Sequence, residues 1–216
     1  MKLLVHGMQS SGATSFALFL AQRPDCLALV DIANNFAAPR IVPPMDMVAK
    51  TVVTTAYPWA VHVERFRPDR TILLLRDPRD NYASLATKNY RNYSGLIDEK
   101  FLLADQIFAE RGRFDTTILY EDFVARDPAV MTAVNGLGWP VEEAYFSYTR
   151  RHEEIIADLW RHAPHLVTDM DFTFGNVRGR EVSPHFRDKP RSENMETLLD
   201  TLCPRLLAHY RNRAGA

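Results

Sequence analysis

Two clusters in this 216-residue chain have the residue types and spacing to grip an anion. The first is Gly7-Met8-Gln9-Ser10-Ser11-Gly12-Ala13-Thr14-Ser15, two glycines flanking four residues with a threonine just beyond. Small side chains let backbone N–H groups crowd around an anion, and a helix starting there adds a favourable dipole. Thr14 stands in the Ser/Thr place of a nucleotide phosphate loop. Ala13, however, holds the place of the lysine that such loops set against the terminal phosphates of a nucleoside triphosphate. Lysine-dependent triphosphate chemistry is therefore disfavoured. The bland alternative is a plain glycine-rich turn between strand and helix.

The second cluster is Arg76-Asp77-Pro78-Arg79-Asp80-Asn81-Tyr82-Ala83-Ser84. An arginine at the end of a strand, with a serine eight residues on in the first turns of a helix, can converge on one phosphate. The guanidinium supplies a charge-assisted fork and the hydroxyl a further hydrogen bond. The competing reading is an Arg76–Asp80 surface ion pair with Ser84 facing solvent.

Both clusters need strands to deliver them. Short apolar runs alternate with helical patterns through the first half, the signature of a parallel sheet with helices on both faces. Strands are expected at Lys2–His6, Leu27–Ile32, Thr51–Thr55, Thr71–Arg76 and Thr116–Tyr120, the third after a proline-containing stretch at Ile41–Met47. Helices are expected at Thr14–Arg23, Asp80–Thr87 (opened by Asp77-Pro78) and Leu96–Arg111. Beyond about Pro128 the pattern is mainly helical, over Ala129–Leu137, Glu142–Trp160 and Glu193–Tyr210, with an irregular basic stretch at Phe172–Arg191. The expectation is one α/β domain over residues 1–216: a central parallel sheet of about five strands, flanked by helices, with a mainly helical C-terminal half.

Composition agrees with a globular chain: 46% apolar and 25% charged residues, enough to bury a sizeable core. A net charge of −1 argues against bulk polyanion binding, hence against a nucleic-acid partner, and leaves room for a local anion site. No run approaches a membrane span, and the N-terminal apolar stretch is too short for a signal peptide. Cys26 and Cys203 read best as reduced thiols of a cytoplasmic protein. The histidines are dispersed, so no metal site is expected. Tyr145, Phe146, Tyr148 and Trp160 recur at helical spacing and read as core.

Taken together, the motifs resemble the sulfotransferases that use 3′-phosphoadenosine 5′-phosphosulfate (PAPS), in particular their bacterial type with its phosphate-loop-like fold. In that family a loop like Ser11-Gly12-Ala13-Thr14 cradles the 5′-phosphosulfate, which implies Gln9, Ser11, Gly12, Ala13, Thr14 and Ser15 as cofactor contacts. A strand ending in Arg-(Asp/Asn)-Pro-(Arg/Lys)-Asp, with a serine eight residues after its first arginine, holds the 3′-phosphate; Arg76 and Ser84 match. Leu119-Tyr120-Glu121-Asp122-Phe123, then Asp127-Pro128 and Leu137-Gly138-Trp139-Pro140, is similar to a third family segment, which would put Tyr120 near the adenine. Val177-Arg178-Gly179 resembles the late loop that closes over the 3′-phosphate. These matches span residues 1 to about 180.

The resemblance implies transfer of a sulfuryl group from PAPS to a hydroxyl, or an amine, of a small-molecule or carbohydrate acceptor, without a metal. Two family features are missing. The usual Lys or Arg before the loop's Ser-Gly is Ser10 here, with Arg40 and Lys50 as possible substitute cations. Val52 stands where cytosolic members carry a basic histidine. Other members use an acid at the end of strand two, which implies Asp31 as the general base, beside Ser10 in the catalytic centre; a structural cap is its alternative. His62 and His6 are lesser candidates. Two rivals stay open: a catalytically impaired relative that binds a nucleotide or a partner protein, and a kinase-like enzyme using ATP. Neither the acceptor nor the oligomeric state is encoded in these motifs.

Overall fold

A computed structural model describes residues 1–32, 36–169, 179–183 and 192–214 of the chain. Five strands form one sheet: β1 (Lys2–Gly7), β2 (Cys26–Leu29), β3 (Asp46–Val52), β4 (Arg70–Leu75) and β5 (Thr116–Leu119). Their order is β2-β3-β1-β4-β5, and every neighbouring pair is parallel. Parallel strands buried on both faces read as unbroken apolar runs, as Ile72-Leu73-Leu74-Leu75 does. Successive residues of β4 feed opposite cores: Ile72 and Leu74 join one, Leu73 and Leu75 the other.

Around the sheet lie α1 (Ala13–Leu20), α2 (Trp59–Phe66), α3 (Pro78–Ala86), α4 (Ile97–Ala109), α5 (Tyr120–Val124), α6 (Pro128–Gly136), α7 (His152–His162), α8 (Pro164–Asp169), α9 (Glu193–Leu202) and α10 (Pro204–Ala214). Phe16 and Phe19 of α1 pack with Phe123 and Phe146 in the first core. The second core joins Phe101, Ala104 and Phe108 of α4 to Leu199 of α9 and to Leu206 and Leu207 of α10.

The five-strand parallel architecture and helical C-terminal half agree with the sequence. The third strand begins earlier than expected, at Asp46, and runs only to Val52. Lys50 masks it, because a lysine interrupts the apolar run yet lies buried at 3% exposure. The single helix expected over Glu142–Trp160 is instead a 3-10 turn at Glu143–Phe146, an extended passage, and α7. That passage pairs Ser147 with Glu181, and Tyr148 N donates to Arg180 O, so tertiary bonding overrides local helical spacing. Trp160, expected in the core, is 57% exposed, whereas Phe146 and Tyr148 are buried. The helix expected over Glu193–Tyr210 divides at Cys203-Pro204, because proline cannot donate to the preceding turn.

The strand order puts β1 between β3 and β4. The chain leaves β1 toward β2 on one side and leaves β4 toward β5 on the other, which opens a crevice at the carboxyl ends of β1 and β4. Ligands of open α/β sheets bind at such reversals. Gly7 pairs with Leu74, so the loop after β1 and the turn after β4 emerge side by side.

Candidate functional site

Close packing shapes the loop from its first residue. A Cβ on Gly7 would lie 2.9 Å from Leu74 O, so only glycine lets β1 end against β4. Ser11 N then donates to Met8 O at 3.2 Å, curling the chain. Ser10 and Gly12 both take left-handed backbone angles, φ 61° and 88°. That is ordinary for glycine and strained for serine. A Cβ on Gly12 would come 2.4 Å from the Tyr120 ring, so this glycine is needed for conformation and for space.

The loop's polar atoms face inward. Gln9 Nε2, Ser10 Oγ and Ser11 Oγ are all buried with no hydrogen-bond partner among the described residues. Buried donors normally find partners, because leaving one unmade costs roughly 1–3 kcal/mol. Three in consecutive residues leave the loop with a row of donors that the described residues do not engage.

The β4–α3 turn fastens this loop. Arg76, 5% exposed, donates from Nη1 to Ser10 O at 2.8 Å, and its guanidinium lies 4.7 Å from the centre of the Tyr120 ring. Asn81 Nδ2 donates to Gln9 O at 2.7 Å. Arg76 and Asp80 are both buried, at 5% and 4% exposure, so neither stands at the surface. Asp77 caps α3 by accepting from Arg79 N, and Pro78 occupies the first turn. Asp77 N donates to Glu121 Oε1, and Tyr210 of α10 donates to the other oxygen of that carboxyl. Burial raises the Glu121 carboxyl above its ordinary range. Asn81 and Glu121 carry this scaffold without having been singled out as functional; the only signal was their position inside the second and third motifs.

Ser84 lies two turns along α3, half-buried, its hydroxyl without a partner among the described residues. Tyr120 is 4% exposed, wedged between Gly12 and Arg76. Ser15 Oγ is bonded to the Tyr148 hydroxyl, which also donates to Ser15 O. Gly179 O accepts from Arg151 Nη1 at 3.0 Å. The backbone partner of Tyr148, Arg180, is the residue after Gly179, so this late segment is tethered to the start of α1. Arg178 and Ala33–Asn35 lie outside the described residues.

Asp31, just beyond β2, is 6% exposed. One carboxylate oxygen is held by Lys50 Nζ in a buried ion pair, and the other lies 3.4 Å from Thr14 Oγ1. Neither substitute cation offered for Ser10 is at liberty: Lys50 is engaged by Asp31, and Arg40 is a 70% exposed residue paired with Glu64. A different lysine touches the loop. Lys100 of α4 has no exposed surface and donates to Gln9 Oε1 at 2.7 Å.

His6 and His62 serve the core. Burial pulls their imidazoles down to about 3 and about 4, so both are neutral at physiological pH. His6 Nδ1 bonds Thr51 Oγ1, and His62 Nδ1 accepts from Ala38 N. A mainly apolar cavity of about 570 Å³ lies beside His6, walled by Trp59, Leu102, Leu103, Ile107 and Phe114. Both cysteines are free and buried. Among the described residues no group of three acidic, His or Cys side chains is placed to hold a metal, and no helix is long and apolar enough to cross a membrane.

No family model matches the sequence, and no curated protein is significantly similar to it. Solved structures do resemble it. A mouse sulfotransferase, SULT7A1, complexed with PAP aligns over 66% of this chain at 15% identity with a TM-score of 0.42. That alignment covers 60% of the mouse protein, under two thirds of its length. Retinol dehydratase in a complex with retinol and PAP aligns over 95% of this chain and 81% of its own, at 13% identity and a TM-score of 0.48. The sulfotransferase domain of the Synechococcus PCC 7002 olefin synthase aligns over 93% of this chain and 94% of its own, at 13% identity and a TM-score of 0.53. The likeness to this last domain runs nearly end to end, and the chain shares the sulfotransferase fold.

Proposed function

We propose that the protein transfers a sulfuryl group from PAPS to a hydroxyl, or less readily an amine, of a small-molecule or carbohydrate acceptor. The observation that carries this reading is the run of buried, unpartnered donors at Gln9, Ser10 and Ser11, beside a buried arginine at the sheet's switch point. The fold shared with a sulfotransferase domain supports it. Gln9, Ser10, Ser11 and the amides around Gly12, Ala13 and Thr14 would hold the 5′-phosphosulfate, with Ser15 supporting the loop through Tyr148. Arg76 and Ser84 would hold the 3′-phosphate, with Tyr120 behind them and Arg178 and Gly179 closing the site.

When bound, PAPS supplies the sulfuryl group: a bond forms from acceptor oxygen to sulfur, and the bond from sulfur to the 5′-phosphate oxygen breaks, leaving adenosine 3′,5′-bisphosphate. As in phosphoryl transfer, the protein's share is positioning and neutralising charge. Asp31 would take the acceptor's proton. Its pairing with Lys50 sets a condition on that role, because accepting a proton there dissolves a buried ion pair. The apolar cavity beside His6 suits an acceptor with an apolar body.

The uncharged Ser10 and the engaged Asp31 favour a second reading, a relative that binds the nucleotide without turnover. Calorimetric titration with adenosine 3′,5′-bisphosphate beside ATP tests the nucleotide class. Tight bisphosphate binding and weak ATP binding are expected; the reverse would favour a kinase-like enzyme. Transfer of labelled sulfate from PAPS across a panel of acceptors then separates the catalyst from the binder.

A further inference from the structure

Ser10 leaves the anion loop without a charge of its own, yet a buried ammonium stands against the loop's flank. Lys100 Nζ donates to Gln9 Oε1 at 2.7 Å, to Tyr93 O at 2.6 Å and to Arg91 O at 3.0 Å. An ammonium has three N–H donors, and all three are satisfied. Every acceptor is neutral, so nothing in direct contact cancels the charge. The adjacent Glu99 acts on Lys100 against the larger effect of burial; its side chain is exposed and bonded to Leu96 N. The groups facing Lys100 from the anion loop and from the α3–α4 connection are the amide and the two carbonyls.

The ammonium also settles which way the Gln9 amide points. Only the carbonyl end can face an N–H donor, so Nε2 is the end left over. It is buried in a residue that is 4% exposed, with no partner among the described residues. A hydrogen-bond chain headed by a charge is polarised along its length, and a low dielectric strengthens its outward donor.

We propose that Lys100, acting through the Gln9 carboxamide, supplies the positive field that Ser10 does not, and holds Gln9 Nε2 as a donor to the 5′-phosphosulfate. This rests on the reading of the loop as a nucleotide cradle. Lys100 is then a positioning residue, and it couples the cradle to the Arg91–Tyr93 segment. Burial lowers its amine to about 8, leaving it mainly protonated at neutral pH and discharged in mild alkali.

The test is titration of adenosine 3′,5′-bisphosphate, adenosine 5′-phosphate and adenosine 3′-phosphate into the native protein, Lys100→Met and Gln9→Leu, from pH 7 to 9.5. Lys100→Met is expected to weaken both 5′-phosphorylated ligands about tenfold at pH 7, the scale of one charge-assisted contact, and to leave adenosine 3′-phosphate within about twofold. Native affinity for the bisphosphate should fall as pH rises through about 8, and both variants should lack that step. Equal losses for all three ligands, or unchanged 5′-side affinity in folded Lys100→Met, would overturn the proposal. Should Lys100→Met fail to fold, the alkaline step decides: its absence from the native protein, or its persistence in Gln9→Leu, overturns it. No bisphosphate binding to the native protein at any pH would remove the functional reading itself, and this proposal with it.

Discussion

Lys50 and Lys100 are both buried, one within β3 and the other near the start of α4, yet their charges meet opposite surroundings. Lys50 meets the Asp31 carboxylate, and the two charges cancel within the core. Lys100 meets an amide and two backbone carbonyls, which stabilise its charge by their dipoles without cancelling it. A cancelled charge holds structure together and projects little field; a solvated one still attracts an anion. The comparison assigns Lys50 to the architecture around Asp31 and Lys100 to the electrostatics of the loop. Burial alone would have ranked them equally.

The largest expected effect tests the Lys50 side. Lys50→Met leaves Asp31 buried without its ammonium, which should cost about 3–5 kcal/mol in urea denaturation. Adding Asp31→Leu to the same chain should restore much of that loss. A mild single mutant would mean that Asp31 reaches water, and the contrast between the two lysines would disappear.

Arg76→Ala comes next. It should weaken adenosine 3′,5′-bisphosphate by about 1.5–3 kcal/mol, the range for hydrogen bonds to a charged group. Adenosine 5′-phosphate should lose far less when titrated in parallel. Equal losses would reduce Arg76 to a tie for Ser10 O and leave the 3′-phosphate grip unassigned.

Gly12→Ala separates loop shape from loop charge. The left-handed backbone and the neighbouring Tyr120 ring should make it cost about 1–3 kcal/mol in thermal or chemical unfolding. Nucleotide affinity should fall without any change in its pH dependence.

The smallest effect belongs to Lys100. In stability Lys100→Met should cost only about 1–2 kcal/mol at neutral pH, since the Arg91 and Tyr93 carbonyls lie in an exposed segment that water can reach. The pH dependence carries a sign. The folded amine releases its proton near pH 8, whereas the unfolded one holds it to about 10.5. Between those values the unfolded state binds more protons, so native stability rises with pH from this group. Lys100→Met should flatten that rise in denaturation curves measured across the window.

Much of the site's framework was legible because its signals are local. Gly7 and Gly12 announce a tight strand-to-helix loop, and Asp77-Pro78 announces a helix start, each through backbone constraints carried by the residue itself. The same local reasoning misplaced β3, because Lys50 breaks an apolar pattern that the Asp31 pair makes tolerable. It also joined residues 142–160 into one helix, since nothing nearby reveals that Tyr148 is drawn toward Ser15 and Arg180.

By itself, the sequence determined the parallel sheet and the two polar clusters that follow its strands, one uncharged and rich in glycine and serine, the other headed by Arg76. All are patterns of residue type over short spans, where periodicity and backbone sterics act directly. The tertiary structure decided which cation stands against the loop, how Arg76 and Asn81 fasten it, and that Asp31 is engaged by Lys50. Those contacts join positions from 19 to 91 residues apart. What they do depends on which groups lose water together, and that is a property of the assembled fold rather than of any stretch of chain.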